Sequence, residues 1–408
     1  MVCPVRGSAD RQVGSGSRSS GRAVQGEGGR AGWSAWTTTT TQQCEVEETT
    51  SPRCLSAEPL NSVTLSGESG ASSGKAEDEG VAGSYVEDEN AARDVIWLAG
   101  THGDLRDRPL VLVGPTATGK SRLAHTLATT LPGIEIISVD SMCVYRYMDI
   151  GTAKPSLAQR KEVNYHMIDL VDPHDEYTVS SFQTEALNVL ESIESRGHRA
   201  LLVGGTGLYL RALTDGLSIP ARWPSVAKDL AEELDREGGP ESLYRRLTEL
   251  DPLAASRITP QNSRRIIRAL EVTIGSGRPF SSYGPGLESY PQTNRFIFAG
   301  IPLNYDTYAH DIALRFYRWM ENGLLDEAKN LLMLPGGLSR TARQALGYKE
   351  LFLHLEDGLE LDDAVERAIT RTRIFARRQW RWFRRDPRIH WLDPDGDMLE
   401  QLVKLLGM

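Results

Sequence analysis

The stretch LVLVGPTATGKS at residues 110–121 decides the fold of this chain. Its four leading apolar residues predict a buried strand, and the run SRLAHTLATTL that begins at Ser121 predicts a helix. Between them lies the pattern G-x-x-x-x-G-K-[ST]. Its glycines let the backbone turn its N–H groups toward an anion, and the helix adds the positive end of its dipole. The stretch therefore predicts a phosphate-binding loop.

Two side chains of this loop have a predicted role. Lys120 supplies a positive charge to the outer phosphates of a ligand, and the hydroxyl of Ser121 is a predicted Mg²⁺ ligand. Taken alone, the loop favours a nucleotide such as ATP, but its pattern fits other phosphorylated ligands too. The predicted phosphate-binding residues are Gly114, Pro115, Thr116, Ala117, Thr118, Gly119, Lys120 and Ser121.

Composition bounds the class of protein. With 408 residues, of which 40% are hydrophobic, the chain can build two or three domains with a core. Most of the net charge of −9 lies in residues 1–107, which hold 9 Lys and Arg against 16 Asp and Glu. The near-neutral remainder leaves nucleic-acid binding open, because local patches matter more than totals.

Cysteine usage and hydropathy narrow the class further. The four cysteines are scattered without a C-x-x-C pair, which argues against a disulfide framework and a zinc site. No apolar run is long enough to span a bilayer, and the N-terminus lacks the apolar core of a signal peptide. We therefore expect a cytoplasmic protein, and nothing in the sequence demands more than a monomer.

The chain divides into segments that differ in composition and in hydrophobic pattern. Residues 1–107 are rich in Gly, Ser, Thr and Glu and predict a disordered N-terminal extension, to which we assign no function. Apolar strands and helices alternate from residue 108, with strands predicted at 110–113, 134–139, 166–171 and 200–205. This alternation predicts an α/β fold of the P-loop NTPase type, a parallel sheet flanked by helices.

The strand signal then disappears for some seventy residues. We predict a helical insertion over residues 222–291, which divides a P-loop-type catalytic core at 108–221 and 292–408. The second part of that core consists mainly of C-terminal helices, after one returning strand at 296–301 and before a short one at 389–392. Ligands of such sheets bind at the carboxyl ends of the strands, so residues that follow each strand are the candidates for chemistry.

Asp140 directly follows the second predicted strand, one strand over from the loop. It could be a general base, a Mg²⁺ ligand, or a helix-capping or turn residue. Phosphate-loop NTPases normally carry a strand-end Asp that helps to hold Mg²⁺, but here the strand ALLV ends in Gly204 and Gly205. Asp169 is a possible substitute. The missing carboxylate argues against a motor or switch NTPase.

The segment TRTRIFARRQWRWFRR at residues 370–385 holds seven arginines with aromatic residues between them. On a helix Arg373, Arg377, Arg381 and Arg384 would form one stripe, which could be either a solvated face or a surface for a nucleic-acid backbone. Arg264, Arg265 and Arg268 form a second basic cluster in the predicted insertion. The histidines His125, His166 and His174 have no metal-ligand spacing.

Six segments together resemble the tRNA dimethylallyltransferases, also called tRNA isopentenyltransferases, in order and spacing, over about residues 108–405. They are GPTATGKS, SVDSMCVYRYMDIGTAKP, DPHDEYTVSSF, LLVGGTGLYLRAL, NSRRIIRALEV and RQALGYKE. The resemblance implies transfer of a dimethylallyl group from dimethylallyl diphosphate to the exocyclic amine of the adenosine beside the anticodon of tRNAs that read codons beginning with U. The loop would then hold the leaving diphosphate, with Mg²⁺ as the cofactor.

The resemblance also implies roles for single residues. Asp140 matches the proposed general base, and Thr116 and Arg315 match residues that stabilise the leaving diphosphate. The positions that match tRNA-contacting residues are Asp140, Ser141, Met142, Cys143, Thr206, Arg264, Arg265, Ile266, Ile267, Arg268, Gln344, Gly347, Tyr348 and Lys349. Where the family commonly has a basic residue after the GLS-x-x-P segment, this chain has Ala227, with Lys228 or Arg222 as candidates for its role.

Two other readings of the residues stay open at this point. A P-loop small-molecule or nucleoside kinase would explain residues 108–205 but not the arginine-rich helix. A non-catalytic RNA-binding P-loop protein would leave Asp140 without a function.

Overall fold

The computed structural model describes residues 108–287, 289–291 and 295–407. The predicted N-terminal extension, with Cys3, Cys44 and Cys54, lies outside the described residues. The core is a parallel six-stranded sheet of order β3-β2-β4-β1-β5-β6, which confirms the predicted α/β fold. The strands are β1 (Leu110–Val113), β2 (Ile134–Val139), β3 (Tyr165–His166), β4 (Arg199–Gly204), β5 (Ile297–Gly300) and β6 (Ile389–Trp391).

Strand register aligns the carboxyl ends of the central strands. Val113 of β1 pairs with Gly204 of β4 on one side and Gly300 of β5 on the other, and Val139 of β2 also pairs with Gly204. Each of these residues is the last of its strand. The segments that follow β1, β2 and β4 therefore leave the sheet side by side, as the sequence predicted.

The third predicted strand is wrong in its extent. The sequence predicted residues 166–171, but β3 contains only Tyr165 and His166. The backbone then enters the left-handed region at Met167 (φ 62°) and Asp169 (φ 55°), a conformation that no strand can contain. Both carboxylate oxygens of Asp169 are bound, at 2.6 Å from the amine of Lys154 and 2.5 Å from the guanidinium of Arg160. These ion pairs hold the turn that ends the strand.

Helices cover both faces of the sheet. The described helices are α1 (Lys120–Thr130), α2 (Leu157–Glu162), α3 (Val179–Ser195), α4 (Gly207–Thr214), α5 (Pro224–Glu237), α6 (Glu241–Leu250), α7 (Pro252–Arg257), α8 (Ser263–Ser276), α9 (Tyr308–Glu321), α10 (Leu324–Leu332), α11 (Tyr348–Asp357), α12 (Leu361–Phe383) and α13 (Met398–Leu405). Alternate residues of β1 face opposite cores: Leu110 and Leu112 pack with α1 and α13, and Val111 and Val113 with α3 and α12.

Helices α5 to α8 lie within the predicted insertion and pack around an apolar core of their own. That core includes Leu230, Leu243, Leu247, Ile266 and Leu270, all buried. The amphipathic spacing of these leucines and isoleucines along each helix accounts for a separate core, because each helix has one apolar face to cover. Among the described residues, no helix is both long and apolar enough to cross a membrane.

Candidate active site

The phosphate loop connects β1 to α1, and its backbone conformation follows from its small residues. Gly119, with φ 84°, stands directly before the first residue of α1, and Ala117 also has a positive φ of 69°. A non-glycine residue in the left-handed region costs of order 1–3 kcal/mol, and such residues cluster at active sites and ligand-binding sites. A Cβ on Gly114 would lie 3.0 Å from the carbonyl oxygen of Ile301, so any other residue here would press against the backbone after β5.

Lys120 is the loop's charged group. Its amine lies 3.4 Å from the carbonyl oxygen of Pro115. Burial lowers the pKa of Lys120 to about 8; the negative charge of Asp140 opposes this shift, and the positive charge of Arg315 adds to it. A cation that is poorly solvated by the protein binds an anion strongly, because the anion restores the lost solvation. The amine is thus suited to hold a phosphate group.

Thr116 and Arg315, the two residues predicted to stabilise a leaving diphosphate, are in direct contact. Arg315 lies on α9, and its Nη2 donates a 2.8 Å hydrogen bond to the Thr116 hydroxyl. The guanidinium stacks 4.5 Å from the ring centroid of Trp319, and its buried Nε has no partner among the described residues. Burial lowers the pKa of Arg315 to about 10, so the group is still charged at neutral pH. A buried cation with a free donor is suited to an anionic ligand.

Asp140 follows β2 at the same edge of the sheet, but β4 lies between β2 and β1, so the residue is two strands from the loop and not one, as the sequence predicted. One of its carboxylate oxygens accepts a 2.8 Å hydrogen bond from the N–H of Met142. The N–H of Ser141 donates to the hydroxyl of Thr206, at 3.3 Å, so the segments after β2 and β4 are joined here. Burial raises the pKa of the nearby Cys143 thiol, which is therefore no nucleophile at neutral pH.

Close packing explains why β4 does not end in a carboxylate. A Cβ on Gly204 would lie 2.0 Å from the carbonyl oxygen of Val139, so no side chain fits at this position. Asp169, the possible substitute, is engaged in its two ion pairs. Burial raises the pKa of Asp169, but the hydrogen bonds and charges of Lys154 and Arg160 outweigh this effect, so the net pKa is lowered. The carboxyl group therefore stays ionised as the partner of these two cations.

The donor chemistry at the loop fits Mg²⁺, which prefers hard oxygen ligands and phosphate oxygens. The Ser121 side chain is exposed at the start of α1, with no hydrogen-bond partner among the described residues. Asp140, whose charge acts on Lys120, offers a carboxylate oxygen at the end of β2, which β4 separates from β1. The hydroxyl of Ser121 would be the ligand that holds the ion, as the sequence predicts.

A clamp fixes the segment that runs on from Asp140. The carboxylate of Glu327 on α10 accepts hydrogen bonds from the N–H groups of Asp149 (3.1 Å), Ile150 (3.0 Å) and Gly151 (3.4 Å). The hydroxyl of Tyr348 binds the same carboxylate and accepts from the N–H of Gly151 at 3.0 Å. A Cβ on Gly151 would lie 2.6 Å from the tyrosine ring. Tyr348, predicted to contact tRNA, is thus a fully buried support of this segment.

The other predicted tRNA-contacting residues differ in exposure. Arg264, Arg265 and Gln344 are exposed, while Ile266 is fully buried in the core of the insertion. Arg268 is occupied by the carbonyl oxygen of Pro220 (2.8 Å) and by an ion pair with Glu271 (2.9 Å). Lys349 donates a 2.6 Å hydrogen bond to Gln344. Partly buried or buried positions are Ser141, Met142, Cys143, Thr206, Ile267 and Gly347.

The arginine-rich helix is confirmed as amphipathic, with one correction. Arg373 donates two hydrogen bonds to the carbonyl oxygen of Ala309, at 3.1 and 3.0 Å, so it is tied to α9 instead of belonging to a free stripe. Phe383 is buried and packs in the core. Five arginines of the segment are exposed, and their side chains make no hydrogen bond or ion pair to any described residue: Arg377, Arg378, Arg381, Arg384 and Arg385.

Gln379 of α12 is a residue of the site that the sequence reasoning missed. Its side-chain oxygen accepts a 2.8 Å hydrogen bond from the N–H of Thr116, and its side-chain nitrogen donates at 3.0 Å to the carbonyl oxygen of Gly205. The sequence does contain a sign of this role. Gln379 is three residues after Ala376 and four before Phe383, so it lies on the buried face of the helix, where an apolar residue is expected.

The fold and the site define an α/β protein of the P-loop type, with buried cationic side chains at the loop and a carboxylate at the same edge of the sheet. A sequence model of the family described as "IPP transferase" matches residues 143–386. The chain is 41% identical over 302 residues to the tRNA dimethylallyltransferase of Carboxydothermus hydrogenoformans, a match that covers 74% of this chain and 96% of that relative. The chain therefore belongs to the IPP transferase family.

Solved structures agree with this assignment. The tRNA isopentenylpyrophosphate transferase of Bacillus halodurans matches with a TM-score of 0.52 and 33% identity, over 74% of this chain and 97% of that one. A eukaryotic dimethylallyltransferase, described as acting on tRNA, matches with a TM-score of 0.58 and 29% identity, over 70% of this chain and 73% of that one.

Proposed function

We propose that this chain is a tRNA dimethylallyltransferase. It transfers the dimethylallyl group of dimethylallyl diphosphate to the exocyclic amine of the adenosine on the 3′ side of the anticodon, in tRNAs that read codons beginning with U. Family membership and the tRNA-acting structural relative support this function. The observation that carries it is the Thr116–Arg315 contact after β1 together with Asp140 after β2, at the same edge of the sheet with only β4 between the two strands, where the charge of Asp140 acts on Lys120 of the loop.

The reaction is a displacement at the first carbon of the dimethylallyl group. The amine nitrogen forms the new C–N bond while the C–O bond to the diphosphate breaks, and the electron pair leaves with the diphosphate. The carboxylate of Asp140 accepts the proton that the amine loses. An aryl amine is a weak nucleophile, so a base and an aligned leaving group are both needed.

Lys120 and Arg315 neutralise the charge that develops on the leaving diphosphate, and the Thr116 hydroxyl stabilises it by a hydrogen bond. Mg²⁺, when bound at Ser121, would supply further positive charge to the same phosphates. The adenine must leave its stack to reach Asp140, which costs least in a single-stranded loop such as the anticodon loop. Exposed basic residues on α8 and α12, among them Arg264, Arg265 and Arg381, suit the tRNA backbone.

The direct test incubates the full chain with labelled dimethylallyl diphosphate, Mg²⁺ and an anticodon stem-loop that carries three adenosines beside the anticodon. We expect label in the RNA and release of diphosphate. A stem-loop with guanosine at the accepting position is the control and should stay unlabelled. Unlabelled RNA together with ATP-dependent phosphorylation of a nucleoside or other small substrate would instead support the kinase alternative.

The lowered pKa of Lys120 predicts a pH dependence of substrate binding. The amine is charged below its pKa of about 8 and neutral above it, so the affinity for dimethylallyl diphosphate falls as the pH rises. We expect KM for dimethylallyl diphosphate to rise by about tenfold between pH 7 and pH 9. In the control variant Lys120→Arg the guanidinium keeps its charge, and KM should stay nearly constant. Equal pH profiles for the two proteins would contradict this role for Lys120.

A further inference from the structure

Gln379 is a buried polar side chain that contacts two separate parts of the site. It lies on the face of α12 that also carries Ala376 and Phe383, and only 7% of its surface is exposed. Its single amide group accepts from the N–H of Thr116 and donates to the carbonyl oxygen of Gly205. These partners are 263 and 174 residues away along the chain.

The two partners lie in different parts of the proposed active site: one beside the leaving diphosphate and the other beside the base. Thr116 carries the hydroxyl that Arg315 contacts, and it lies on the side of the leaving diphosphate. Gly205 directly precedes Thr206, whose hydroxyl accepts the hydrogen bond from the N–H of Ser141, next to Asp140. The hydrogen bond to Gly205 therefore connects Gln379 with the segment that positions the proposed base, Asp140.

The amide of Gln379 packs closely against the backbone that follows β4. A Cβ on Gly205 would lie 2.2 Å from the side-chain nitrogen of Gln379, and one on Gly207 would lie 2.1 Å from the indole nitrogen of Trp382. The backbone after β4 thus touches α12 at two successive turns. A glutamine is suited to this place because one amide is both donor and acceptor, in fixed directions.

We propose that Gln379 is a positioning residue, which sets the distance and orientation between the leaving-group side and the base side of the site. The proposal rests on the proposed transferase function. An in-line displacement requires the two sides to be aligned, and a misplacement of about 1 Å can cost about 10²-fold in rate. Gln379 acts through Thr116 and Gly205, so its loss should lower kcat without weakening tRNA binding.

The test compares Gln379→Leu with Thr372→Val. Thr372 is also buried on α12, and its hydroxyl only bonds the carbonyl oxygen of Ala368 in the same helix. Both variants lose buried hydrogen bonding, but only the first touches the site. We expect kcat to fall at least tenfold in Gln379→Leu, with the Kd for the anticodon stem-loop within twofold of wild type. Thr372→Val should lower Tm while it keeps the wild-type kcat below that temperature.

Gln379→Glu keeps the shape of the side chain and the acceptor for Thr116, but its ionised carboxylate cannot donate to Gly205 and instead faces that carbonyl oxygen. We expect a Tm below that of wild type, because the buried charge is unpaired, and a kcat at least fivefold below wild type at high pH, where the carboxyl is ionised. Wild-type kcat in either Gln379 variant, or an equal loss of kcat in Thr372→Val, would overturn the proposal. If wild type and Thr372→Val both fail to prenylate the RNA, the transferase function itself is wrong, which is a separate result.

Discussion

Replacement of Asp140 by Asn is expected to lower the single-turnover rate of dimethylallyl transfer by about 10²–10⁴-fold, the usual contribution of a general base. The amide cannot accept the proton of the adenine amine. It does keep an oxygen that can accept the 2.8 Å hydrogen bond from the N–H of Met142. The local turn should therefore survive, and the Kd for the anticodon stem-loop should change little. Quench-flow measurement with saturating substrates reads the rate directly.

Asp140→Ala provides the matched comparison, because it removes both the base and the acceptor for Met142. If Asp140 only caps the turn after β2, Asp140→Asn would keep nearly full activity and Asp140→Ala would lose it. If it is the base, both variants are slow to a similar degree. A fast Asp140→Asn enzyme would therefore contradict the role proposed here.

Replacement of Arg315 by Gln is expected to slow transfer by about 10²–10³-fold, as the loss of one preorganised donor to a developing anion does in other enzymes. The change removes a charge and the 2.8 Å contact to the Thr116 hydroxyl. Inorganic diphosphate should also raise Tm less in the variant than in wild type, because the anion loses a binding partner. Single-turnover kinetics and thermal melts with and without diphosphate give the two readouts.

Arg318→Gln is the control for this variant, since Arg318 lies on the same helix but is exposed. It changes the net charge by the same amount without touching the loop. We expect its rate and its response to diphosphate to match wild type. Comparable losses in both variants would mean that the general charge of α9, and not the contact at Thr116, accounts for the effect.

Sequence patterns predicted those parts of the site that are local. The loop at residues 114–121 and the position of Asp140 each directly follow a strand that the apolar residues of a short local segment predict. Strand ends of a parallel sheet meet at one edge, so their proximity could be predicted as well. The length of the third strand was overestimated, because the apolar residues at 166–171 do not reveal the left-handed backbone at Met167. The ion pairs of Asp169, which hold this turn, come from residues outside the strand.

Contacts between distant segments could not be predicted in this way. Arg315 entered only through a family resemblance, because nothing in its surrounding helix marks it as a partner of Thr116. Gln379 was missed altogether, and Arg373 was assigned to a surface stripe although it is bound to Ala309. In each case the hydrogen-bond partner lies on another helix or loop. The periodicity of a helix shows which of its faces is buried, but not which residues pack against that face.

The order in which the chain is synthesised has a consequence for this site. The phosphate loop emerges early, yet the partners of Thr116 follow 199 residues later in Arg315 and 263 residues later in Gln379. A nascent chain thus carries the loop long before it carries the groups that complete it. Nearly the whole protein must leave the ribosome before the proposed diphosphate site can be complete. We therefore expect chains that terminate before Gln379 to lack transferase activity.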